Sequence, residues 1–64
     1  MTPEEKAELK QETKKLFIKI HQKETKLKKN PMVIVKFSEE LDKKKTGRGK
    51  INVVKKYTEI VKGL

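Results

Sequence analysis

The sequence has no cysteine and no tryptophan, one histidine, two prolines and three glycines, and its aromatics are Phe17, Phe37 and Tyr57 alone. Without cysteine, neither a disulfide nor a thiolate metal site can reinforce the chain. A lone His21 cannot build a zinc centre, and no cofactor is expected. The longest uninterrupted apolar run, Met32 to Val35, is far too short to cross a bilayer. The opening residues are acidic and polar, where a secretory signal needs a basic start and an apolar stretch. An intracellular protein with no membrane partner is therefore expected, in the cytoplasm or on the nucleoid. With 64 residues, of which 33% are hydrophobic, the chain allows one domain near the lower limit at which a single core is stable. The expectation is one domain over 1–64 that completes its core with a partner, most simply a second copy.

Charge is what the chain has in excess. Eighteen Lys and Arg face nine Asp and Glu, a formal net charge of +9 at pH 7. Such an excess repels itself in the compact state and attracts polyanions, of which nucleic acid is the commonest in a cell. A lysine-coated surface that serves only solubility is the bland alternative. A membrane-bound basic helix is disfavoured by the early glutamates and the absent tryptophan.

Along the chain, Thr2-Pro3-Glu4-Glu5 is a helix start: threonine as N-cap, proline at the first helical position, and glutamate three residues after the cap. Leu9, Leu16, Ile20 and Leu27 follow at helical spacing, and Asn30-Pro31 closes a helix over 3–29. The β-branched density of Met32-Val33-Ile34-Val35-Lys36-Phe37 predicts a strand over 32–37. The chain offers it no second strand, and an isolated strand leaves its backbone groups unpaired, so a homodimer would supply the pairing. Ser38-Glu39-Glu40-Leu41-Asp42 begins a short helix over 38–45, with serine as its cap. Thr46-Gly47-Arg48-Gly49 forms a turn over 46–49, because its glycines resist regular structure. Val53, Val54, Tyr57, Ile60, Val61 and Leu64 give a last helix over 50–62 its apolar face. The fold class expected is mainly α: a long N-terminal helix, one short strand, a short helix, a glycine turn and a C-terminal helix.

Catalytic chemistry has little to draw on. Glu39, Glu40 and Asp42 are explained as acids at a helix start, and general acid–base work would need a pocket to shift their pKa. No nucleophile–base arrangement is present, and His21 reads as a partly exposed helix residue, so no enzyme is expected. Residues 43–50 carry Lys43, Lys44, Lys45, Arg48 and Lys50 with no acid among them. They precede or open a helix, whose N-terminal amides suit a phosphate. The glycine spacing is not that of a nucleotide-binding P-loop.

Val33-Ile34-Val35-Lys36-Phe37-Ser38-Glu39-Glu40-Leu41 and Thr46-Gly47-Arg48-Gly49-Lys50 together resemble the ribbon-helix-helix DNA-binding proteins over residues 31–62, with a first helix shorter than that family has. The resemblance implies an intertwined dimer whose paired strands enter the major groove. Met32, Ile34 and Lys36 would then face DNA, and Gly49, Lys50 and Ile51 would lie near a phosphate. The expected function is that of a small basic DNA-binding regulator of transcription, contacting duplex DNA through Lys36, Lys43, Lys44, Lys45, Arg48 and Lys50. The alternatives are a protein-interaction module that docks on an acidic surface, and an RNA- or ribosome-associated protein.

Overall fold

The computed structural model describes residues 2–64 as four helices and, among those residues, no strand. They are α1 (Pro3–Gln22), α2 (Glu24–Lys29), α3 (Met32–Lys43) and α4 (Gly47–Lys62). Helix α1 starts as its sequence predicts. The Thr2 hydroxyl accepts from the Glu5 amide at 3.2 Å, and the Thr2 amide donates back to the Glu5 carboxylate at 3.4 Å. Together they satisfy two donors that a helix start leaves free.

The long helix expected over 3–29 is broken at Lys23, whose φ of −107° and ψ of 22° cap both α1 and α2. The hydrogen-bond ladder crosses the break, with Lys23 N–H to Lys19 C=O and Leu27 N–H to Lys23 C=O, both at 2.9 Å. The break is therefore a local distortion, and the apolar register carries through it to Leu27.

The strand expected over 32–37 is helix, and it merges with the short helix expected over 38–45 into α3. The physical reason lies in spacing. Val33, Ile34, Phe37 and Leu41 recur at helical intervals, and all four pack on the core. A helix also closes its own backbone hydrogen bonds, whereas a strand here would have had no neighbour. β-propensity is worth only about 1 kcal/mol and yields to packing. Pro31 closes no element by itself: its φ of −66° already suits a helix, and its carbonyl accepts from the Ile34 and Val35 amides. Ser38 accordingly lies in mid-helix rather than at a cap.

This arrangement overturns the ribbon-helix-helix expectation, since that fold requires a strand at these positions. The case for a homodimer that rested on an unpaired strand lapses with it, as does base reading by Met32, Ile34 and Lys36 on a ribbon. The glycine turn of 46–49 and the last helix of 50–62 are also redrawn, because Gly47 and Gly49 form the first turn of α4.

Helix α4 is the centre of the molecule. It buries Gly47, Ile51, Val53, Val54, Tyr57 and Val61, whereas α1 buries only Leu16, α2 only Leu27, and α3 no residue fully. A fully buried aliphatic of this kind contributes about 1.5–3 kcal/mol. Helices α1 and α3 each lean on α4 and make at most a marginal contact with one another. The Cα framework is correspondingly flat, 36 × 21 × 13 Å. Among the described residues, no helix is long and apolar enough to cross a membrane.

Candidate nucleic-acid interface

The basic segment forms a tight corner between α3 and α4. Lys44 caps α3, turning the backbone extended (φ −85°, ψ 130°), and its amide donates to the Leu41 carbonyl at 3.2 Å. Thr46, also extended, caps α4 by accepting the Gly49 amide at 3.0 Å. Gly49 is favoured by closeness: a Cβ there would stand 3.0 Å from the Thr46 hydroxyl and 3.4 Å from Lys44 side-chain carbons, which would have to give way slightly. The Thr-Gly-Arg-Gly sequence thus makes a helix start rather than a loop. The start of α4 carries the partial positive charge of a helix N-terminus, with Gly47 buried and the Gly49 amide taken by Thr46.

Lys43, Lys44 and Lys45 are all exposed at this corner. Lys43 and Lys44 border a cleft of about 340 Å³ that Gly49, Asn52 and Lys56 of α4 complete, with Glu40 at its α3 wall. Glu40 holds the Lys56 ammonium at 3.2 Å through one oxygen, with the Tyr57 phenol beside the carboxylate. The Tyr57 phenol beside it, foremost, and Lys56 hold the Glu40 carboxyl below its ordinary value of 4.5, and the same carboxylate together with burial pushes Tyr57 up to about 12.

The expected contact residues do not form one cluster. Arg48 is exposed in the first turn of α4, next to the lysine corner, but both its terminal nitrogens reach Glu8 of α1 at 3.3 Å. Lys55 joins the same carboxylate at 3.1 Å. Lys55, first, and Arg48 hold Glu8 below its ordinary 4.5. Lys36 is exposed on α3, about 10 Å along the axis from Lys43 on the same flank, since seven residues make nearly two turns. Lys50 departs furthest from expectation. It is half-buried and lines a different hollow, with Leu9, Phe17 and Leu41.

The structure adds Asn52, Lys55 and Lys56, which sequence reading had left out. With Arg48 they recur at intervals of four, three and one along α4, and all four are exposed. That spacing was readable as the polar complement of the apolar stripe, once the helix was started at Gly47 rather than Lys50. No group of His, Cys, Asp or Glu among the described residues is arranged to hold a metal ion. No family model, curated protein or solved structure matches the chain.

Proposed function

We infer that the chain binds duplex nucleic acid, DNA in the first instance, with the phosphate backbone seated at the α3–α4 corner and the outer face of α4 turned to the duplex. The observation that carries this reading is the convergence of Lys43, Lys44 and Lys45 on the start of a helix whose exposed face continues through Arg48, Asn52, Lys55 and Lys56. Lysines beside a helix start suit phosphate oxygens, and arginine and asparagine are the side chains that pair two-fold with guanine and adenine. The Arg48–Glu8 and Lys55–Glu8 pairs are exposed, and such pairs contribute little to stability. Exchanging Glu8 for a phosphate is thus inexpensive. Two helices joined by a short turn, the second presenting its first turns outward, is also a geometry that a major groove admits.

The test is an anisotropy titration of labelled mixed-sequence duplex DNA at stepped salt concentrations. Each phosphate neutralised contributes about −0.9 to the slope of log K against log salt. Replacing Lys43, Lys44 and Lys45 together by alanine should weaken binding and flatten that slope by up to about 2.7, the equivalent of ~3 phosphates. Absence of binding at low salt, or an unchanged slope in the triple variant, refutes this placement.

A further inference from the structure

On the side of α4 away from Arg48 and Asn52, the flat arrangement leaves an apolar groove between α1–α2 and α3. The floor of its Phe17 end is Val54, two residues beyond Asn52 and so roughly 200° round the helix. It consists of two successive hollows of about 360 Å³ each. One is walled by Phe17 and Thr13 against Phe37 and Leu41, the other by Ile20 and Leu27 against Ile34 and Val35. From Leu9 to Leu27 the groove follows helical chain for about 27 Å at 1.5 Å per residue, the length of a five-turn helix. Phe17 and Val35 stand at its mouth 59% and 44% exposed, large apolar surfaces that none of the described residues covers.

We propose that this groove is the docking site for an acidic amphipathic helix of a partner protein. The apolar stripe of that helix would seat on Phe17, Ile20, Ile34 and Leu41, and its carboxylates would meet Lys44 and Lys50. Charge selects this occupant over a second copy of the chain. Lys44 and Lys50 outnumber Asp42 around one hollow, while Lys28 and Glu24, 3.9 Å apart, offset one another at the other. Two chains of +9 each would oppose one another across such an interface, whereas an acidic helix is drawn to it. The inside of the groove is the apolar, two-walled shape into which amphipathic helices dock by i, i+3, i+4 and i+7 anchors. Lys50, left without a place in the basic corner, has one here. The proposal does not rest on the nucleic-acid reading: Lys44 borders both sites, but the apolar anchors Phe17, Ile20, Ile34 and Leu41 are no part of the basic corner.

The experiment titrates the full chain with a labelled synthetic 18-residue peptide, leucine along one helical stripe and glutamate elsewhere, alongside a scrambled peptide of the same composition. Saturable binding is expected, with amide shifts concentrated at Phe17, Ile20, Ile34 and Leu41. The scrambled peptide should bind at least about tenfold more weakly, since the apolar anchors supply most of such an interaction. Phe17→Asp and, independently, Val35→Asp should each weaken binding by about tenfold or more while leaving the helical circular dichroism and melting temperature close to those of the parent, because neither side chain belongs to the buried core. Equal binding of the scrambled peptide, or shifts confined to surface lysines, would mean attraction by charge alone and would overturn the proposal. No saturable binding would overturn it as well. So would a dimer in sedimentation equilibrium that Phe17→Asp converts to a monomer, which would identify a second copy as the occupant.

Discussion

Thr46 carries the corner on which the basic residues depend. Its hydroxyl takes the Gly49 amide at 3.0 Å, and its carbonyl accepts Lys50 N–H at 3.1 Å, the first turn of α4. Removing an N-cap hydroxyl costs about 1 kcal/mol. In a domain this small that corresponds to a melting temperature lower by about 4–8 °C. Thr46→Ala should show this loss, while Thr46→Ser, which keeps the hydroxyl, should stay within about 0.5 kcal/mol of the parent. An unchanged melting temperature in Thr46→Ala would show that the hydroxyl is not holding the corner. At this scale the sequence was readable wherever one residue type does one job. The capping box at Thr2 and Glu5 follows from spacing alone. Gly49 was misread because glycine signals both flexibility and closeness, and only the approach of Thr46 and Lys44 tells which applies. The Arg48–Glu8 pair joins residues 40 apart in the chain, and no local pattern reports that.

Helix α3 shows where elements stop being legible. Its first six residues are β-branched or bulky enough to suggest a strand, and its apolar positions serve either structure over so short a run. The decision came from α4. Phe37 sets its ring against Tyr57, centroids 5.3 Å apart and tilted by 58°, a geometry open to a residue on a helix whose Val33 and Leu41 share that face. The helices α1 and α4 were legible as helices, α1 from its capping box and α4 from its apolar stripe, although the end of the first and the start of the second were misplaced. Since α3 buries no residue fully and rests on α4, Phe37 is its principal anchor. A fully buried phenylalanine truncated to alanine costs about 3–5 kcal/mol; for the half-buried Phe37 about 2 kcal/mol is expected. The loss should fall unevenly. In Phe37→Ala, hydrogen exchange at α3 amides should accelerate well before that of α1 and α4 near Leu16, Val54 and Val61. Uniform acceleration across all helices would mean that α3 is not a separable unit.

The whole molecule carries +9 on a flat frame only 13 Å through its shortest dimension, so its charges lie within range of one another and every carboxylate matters. The described ion pairs engage four of them, Glu8, Glu12, Glu24 and Glu40. Glu8 and Glu40 have carboxyls held below their ordinary 4.5 by cations and, for Glu40, by Tyr57. A carboxyl with a lowered folded-state pKa stabilises the fold above its unfolded value and loses that contribution as pH falls through the lowered one. Protonation of the nine acids also leaves the 18 Lys and Arg without compensation, which adds self-repulsion in the same direction. The melting temperature should therefore be level near neutrality and fall as pH drops through and below 4.5. Two controls separate the causes. Added sodium chloride should restore the part that comes from long-range repulsion, since screening shortens to about 8 Å at physiological ionic strength. Glu8→Gln with Glu40→Gln should lower stability at pH 7 and make the acid limb shallower, because the groups whose titration is linked to folding are gone. A double variant with an unchanged acid limb would place the whole of the acid sensitivity in net charge, and would mean that the Glu8 and Glu40 contacts bind α1 and α3 to α4 no more tightly than water does.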